Sequence, residues 1–93
     1  MHDRFRTVSG FIVKNMQVGE YDASITILTT EYGKMRAIGR GAQSLKSRRR
    51  TALQPLTKST LLLERHPEQW YVREAQIEKN LTMIEERQKQ IVF

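Results

Sequence analysis

Apolar and polar residues alternate along most of this chain with the two-residue period of strands, not the ~3.6-residue period of helices. The stretch Val8 to Lys14 is almost continuously apolar and contains Gly10, the mark of a bulge or sharp bend inside a strand. Gln17 to Glu20 reads as a turn. From Ala23 to Thr30 the residues are rich in β-branched side chains, with Ile25 and Ile27 on one face and Thr26 and Leu28 on the other, the clearest strand in the sequence. Glu31 to Lys34 is a short connection in which Gly33 is expected at positive φ, and Lys34 to Arg40 follows as the third strand, closing a hairpin. Beyond Gly39 and Gly41, residues 42–50 have no apolar periodicity apart from Leu45, which predicts a polar, basic loop that is mobile without a partner. Thr57 to Arg65 and Gln69 to Ala75 are the fourth and fifth strands, entered past Pro55 and separated by a His66-Pro67-Glu68 turn.

The period then changes. Thr82-Met83-Ile84-Glu85 has the spacing of a capping box, and Ile77, Leu81, Ile84 and Ile91 form one apolar stripe of a helix beginning at residue 77 or 82. Its end, Ile91-Val92-Phe93, carries no Gly or Asn cap, which leaves two readings: the last turn docks on the strands, or the chain is cut partway through a helix. Five short strands, one long loop and one terminal helix give the expected fold class. It is mainly β, a five-stranded antiparallel barrel with a C-terminal α-helix. Among small barrels the oligonucleotide-binding (OB) type has this strand count, a bent first strand and a ligand face on strands 2 and 3.

With 93 residues the chain has room for one modest core. No apolar run exceeds three residues, so neither a membrane span nor a signal-peptide core is present, and with no cysteine the expectation is a soluble, cytoplasmic protein. The absence of cysteine also removes disulfides, thiol nucleophiles and cysteine-type zinc sites. Charge changes the picture more. The net +6 comes entirely from residues 32–63, where Lys34, Arg36, Arg40, Lys46, Arg48, Arg49, Arg50 and Lys58 occur without one acid. Cations in such a block repel one another, a cost that a polyanion relieves through neutralisation and counterion release. On the third strand, alternation places Lys34, Arg36 and Arg40 on one face with Ile38, and Met35, Ala37 and Gly39 on the other. Three cations therefore line the face where an OB barrel takes its ligand.

Catalytic chemistry has little to stand on. His2 and His66 have no ligand or triad partner at a recognisable spacing, Glu85-Glu86 is a helix pair, and the acids elsewhere form no acid and base pair. Gly39-Arg40-Gly41 lacks the third glycine of a dinucleotide fingerprint, and Gly33-Lys34 lacks the rest of a phosphate-binding loop. The expectation is a protein that is not an enzyme and holds no metal or cofactor. Tyr21, Tyr32, Trp70 and Tyr71 could stack on bases, although packing is the better reading for Trp70.

The residues Gly19-Glu20-Tyr21-Asp22, Leu28-Thr29-Thr30-Glu31-Tyr32-Gly33-Lys34-Met35-Arg36-Ala37, Gly41-Ala42, Lys46-Ser47-Arg48 and Leu53-Gln54-Pro55 together carry a resemblance. In order and spacing, over about residues 7–77, the sequence resembles the N-terminal OB domain of the bacterial RecO recombination mediators. That resemblance implies binding of single- and double-stranded DNA, annealing of complementary strands, and assistance to RecA loading together with RecR. It also implies contact with single-stranded-DNA-binding protein, to the extent that this does not rely on the family's C-terminal region. Family members use the basic OB face and the loop after strand 3, and the matching positions are Lys34, Arg36, Arg40, Lys46 and Arg48, with Arg49 and Arg50 extending the cluster.

Full-length members continue into a helical domain, sometimes with a zinc-binding cysteine cluster. The expected organisation is thus an OB domain over residues 1–77 and, over 78–93, the truncated start of a helical domain. The leading expectation is a sequence-independent DNA-binding module of DNA repair and recombination, associated with the bacterial nucleoid during repair. A protein-interaction module whose basic face docks an acidic partner such as RecR is the alternative. Replacing Arg48, Arg49 and Arg50 by alanine is expected to weaken DNA binding with little effect on folding.

Overall fold

A computed structural model describes residues 4–43 and 49–80. Five strands, β1 (Phe5–Val18), β2 (Asp22–Thr29), β3 (Gly33–Gly39), β4 (Thr57–His66) and β5 (Gln69–Asn80), with a single helical turn α1 (Arg49–Ala52) before β4, make up these residues. The strands close into a barrel in the order β1-β2-β3-β5-β4, as the OB reading requires. All pairings are antiparallel except the β3–β5 seam that closes the barrel, which is parallel at Ile38 and Tyr71. No helix among the described residues is long and apolar enough to cross a membrane.

β5 also departs from its expected length. It continues through Asn80, so Ile77 pairs with Ser59 as a strand residue and does not start a helix. The barrel strand therefore runs past residue 77, where the OB domain was expected to close; the helix expected from residue 82 lies outside the described residues.

Inward-facing side chains follow the two-residue period. Val8, Ile12, Ile25, Ile27, Leu61, Leu63 and Val72 fill the interior, and Leu53, just beyond α1, plugs it from the side of the β3–β4 connection. Asn15 and Ser59 tie that connection down: Asn15 donates to the Leu53 carbonyl at 2.7 Å, and the fully buried Ser59 hydroxyl donates to the Ala52 carbonyl at 2.7 Å. Gly33 adopts φ 68°, the left-handed conformation expected for the β2–β3 turn. Trp70 packs against the core, and Arg6 lays its guanidinium over both Tyr32 (4.3 Å) and Trp70 (5.1 Å).

Three register shifts interrupt the alternation, and each leaves one unpaired residue: Val13 on β1, Arg73 on β5 and Glu78 on β5. Bulges bend a strand and re-aim side chains. At Glu78 the carboxylate reaches across to accept hydrogen bonds from Ser9 of β1 (2.6 Å) and Thr60 of β4 (2.7 Å). Those two hydroxyls hold its pKa below the ordinary glutamate value. A carboxyl with a depressed folded pKa contributes stability that is present above its unfolded pKa and is lost as pH falls through the folded one. Glu78→Gln should therefore flatten the fall in stability with acid below about pH 4.3, the unperturbed glutamate value. Urea midpoints across that range provide the check; parallel acid limbs in the two proteins would mean that these hydrogen bonds contribute nothing.

Candidate nucleic-acid interface

The outer surface of β1, β2 and β3 is assembled in cross-strand rows. One row is Lys14, Thr26 and Arg36; the next is Phe11, Leu28 and Lys34; a third is Met16, Ser24 and Ile38. Lys58 of β4 extends the second row, pairing with Phe11 and placing its ammonium 6.0 Å from the ring. Across β1, β2 and β3, Lys14, Lys34 and Arg36 are each opposite a neutral residue, so these like charges are interleaved and not stacked across strands; Lys58 faces Phe11 on one side and Lys79 of β5 on the other. Asp22 lies at the far end of this surface, where it accepts the Gly41 backbone N–H at 2.8 Å, and the Glu78 carboxylate reaches its β1–β4 edge at Ser9. Lys14, Lys34 and Arg36 are exposed and form no ion pair with any described residue. The result is a positive surface with apolar and aromatic groups between its charges, Leu28 being 53% and Met16 49% exposed.

Lys14 was not among the residues singled out from sequence. Counted from the inward Ile12, simple alternation would send it into the core; the Val13 bulge shifts the phase by one and delivers it to the outer face beside Thr26.

The predicted site residues that the structure describes separate into three groups. Lys34 and Arg36 lie on the face, as alternation requires. Arg40 lies past the end of β3, with its guanidinium 4.5 Å from the centre of the Tyr71 ring, beyond the seam. Arg49 and Arg50 belong to α1, where Arg50 is half-buried and its carbonyl accepts from Gln54; Lys46 and Arg48 lie outside the described residues.

Arg49 lies in a helical turn and not in the mobile loop expected over residues 42–50. Its guanidinium donates to the Val72 carbonyl at 2.7 Å and to the Arg40 carbonyl, so it fastens α1 to β5 and to the exit of β3. A charged donor on backbone carbonyls contributes about 1.5–3 kcal/mol. Arg49→Ala should accordingly cost about 1.5 kcal/mol of stability while Lys34→Ala stays within about 0.5 kcal/mol. Urea unfolding of the two variants measures the difference, and equal midpoints would remove the fastening role.

A second charged group surrounds Glu64. This side chain, only 8% exposed, is shared by Arg4 (3.0 Å), Arg73 (3.2 Å) and His66 (3.6 Å), and His66 packs edge-on against Tyr71 at 4.9 Å. No sequence spacing signalled the cluster, because its members come from the N-terminal end, β4 and β5.

Comparison with known proteins places this geometry. Residues 1–81 match the family model described as recombination protein O N terminal. The chain is 28% identical over 90 residues to the DNA repair protein RecO of Caldanaerobacter subterraneus subsp. tengcongensis, covering 97% of this chain and 36% of that protein. It is 38% identical over 60 residues to the DNA repair protein RecO of Heliobacterium modesticaldum, covering 64% and 22% respectively. Over 55 residues it is 42% identical to that of Gloeothece citriformis, covering 59% and 19%. The chain thus spans about a third or less of the length of these relatives. A closed OB barrel and a match over residues 1–81 agree, and the chain belongs to the recombination protein O N-terminal family.

Proposed function

We propose that this domain is a non-enzymatic, sequence-independent DNA-binding module that acts in DNA repair and recombination. The observation that carries the reading is the β1–β2–β3 face: Lys14, Lys34, Arg36 and Lys58 interleaved with Phe11, Met16 and Leu28. Lysines and arginines in this setting neutralise phosphates, and the side chains between them cover bases without reading their edges. Strand annealing, and assistance to RecA loading with RecR on DNA coated with single-stranded-DNA-binding protein, are the larger activities to which such a face would contribute.

Four phosphate contacts to a single strand predict a slope of log affinity against log salt near about −3. Fluorescence anisotropy with an oligo-dT strand at several salt concentrations measures it, and a flat dependence would rule the reading out. The exposure of Met16 and Leu28 also suits a protein partner with an acidic rim around an apolar centre, for which RecR is the candidate. Competition separates the two: a partner that displaces DNA shares this face, and one that binds alongside DNA uses another.

A further inference from the structure

We propose that Arg6 is a positioning residue for the β1–β2–β3 face: stacked between Tyr32 and Trp70, it fixes the turn end of the β2–β3 hairpin and, through that turn, Lys34. The inference rests on the DNA-binding reading above and concerns a residue outside the face itself. Arg6 stands on β1 opposite Leu63 of β4, in the inward phase of Val8 and Ile12. A half-buried guanidinium in that phase needs partners, yet its side chain enters no hydrogen bond or ion pair with any described residue. Its partners are rings. The guanidinium carbon lies 4.3 Å from the centre of Tyr32, in the β2–β3 turn, and 5.1 Å from that of Trp70, at the start of β5.

The turn end of the hairpin is where strand pairing gives least support. β3 is paired with β2 from Gly33 to Gly39, but on its other edge it meets β5 at Ile38, so the edge from Lys34 to Ala37 has no paired strand among the described residues. Within itself the turn is tight: the buried Thr29 hydroxyl accepts the Tyr32 N–H at 2.9 Å and donates to the Gly33 carbonyl at 2.7 Å. Tyr32, Gly33 and Lys34 therefore move as one piece, and whatever holds Tyr32 also holds Lys34. Toward β1 that piece is tied by the Thr30 N–H on the Ser9 carbonyl at 3.0 Å. Toward β5 the tie is Arg6, which joins Tyr32 to a Trp70 already packed against the core. The residue type matters. A planar guanidinium has two faces and can stack on two rings at once, whereas a lysine ammonium is a point charge on a flexible stem and fixes no ring orientation.

The test is a double-mutant cycle, read as oligo-dT affinity by fluorescence anisotropy at 0.1 M salt. Losing one single-strand phosphate contact removes about 0.7 from the salt slope, so Lys34→Ala should weaken binding about fivefold in the native background. Arg6→Lys keeps the charge and removes the two-sided stack. It should weaken binding about threefold, and in that background Lys34→Ala should cost less than about twofold more, because Lys34 has already lost its place. Lys14→Ala, in the Arg36 row and away from the turn, should cost about fivefold in both backgrounds, which reports that the barrel and the rest of the face are intact. Arg6→Met, which also lacks the charge, should show the same loss of the Lys34 effect. Native affinity in Arg6→Lys, or effects of Arg6 and Lys34 that multiply, would overturn the positioning role and leave the face standing. Multiplying effects with a larger loss in Arg6→Met than in Arg6→Lys would assign Arg6 a phosphate contact of its own, and a Lys14 effect that shrinks along with that of Lys34 would mean general loosening; both overturn the proposal. If Lys34→Ala and Lys14→Ala bind as the native chain does, the face itself is wrong, and the role of Arg6 goes with it.

Discussion

The Lys34→Ala/Arg36→Ala variant should bind single-stranded DNA about 25-fold more weakly at 0.1 M salt, with the salt slope falling from about −3 to about −1.5. The magnitude follows from counterion release. Each single-strand phosphate contact contributes about 0.7 to the slope, so losing two removes about 1.4 log units per decade of salt below the 1 M reference. The loss should be nearly independent of base sequence, because in the proposed reading these side chains meet the backbone and not base edges. Folding should hardly respond: both residues are exposed on β3 and form no ion pair with any described residue. A weaker slope with an unchanged urea midpoint is therefore the expected signature. An unchanged slope would remove β3 from the interface, whatever happened to overall affinity.

Lys14→Ala should add to that effect, and it shows where sequence reasoning stops. The faces of β2 and β3 were legible because Ile25, Ile27 and Ala37 alternate without interruption against Thr26, Leu28, Lys34 and Arg36. On β1 the phase breaks at Val13, and which residue is extra depends on Ile27 and Thr26 of the partner strand, not on β1 itself. Arg73 and Glu78 were hidden for the same reason, since each is the unpaired residue of a β5 bulge. The length of β5 was obscured by Ile77, whose spacing to Leu81 suits a helix as well as its pairing with Ser59 suits a strand. Arg49 failed differently. A run of three arginines reads as a solvated, mobile loop, and only the approach of Val72 and Arg40 carbonyls turns its middle member into a fastener.

Gly10→Ala should be the most damaging single methyl group that the barrel can receive, costing about 3 kcal/mol or more. At Gly10 the first strand belongs to both halves of the barrel, paired with Thr29 of β2 on one side and Ser59 of β4 on the other. A Cβ there would stand 2.4 Å from the Leu28 carbonyl oxygen and 2.8 Å from the Thr29 Cα. Both are backbone atoms of a paired strand, so no rotamer change relieves the clash; β1 and β2 must separate. Separation strains the Thr30 N–H bond to the Ser9 carbonyl, now 3.0 Å, and shifts Leu28 with the Lys34 row that depends on it. Stability and DNA affinity should fall together, unlike in the Lys34→Ala/Arg36→Ala variant. Gly19→Ala supplies the comparison: Gly19 has φ 67° but nothing within 4 Å of its Cβ position, so only the backbone cost of about 1 kcal/mol applies. Thermal or urea unfolding of the two variants ranks the effects. If Gly10→Ala proved as stable as Gly19→Ala, close approach of the strands would not be what requires glycine at this position, and the coupling of that position to the proposed DNA face would fall with it.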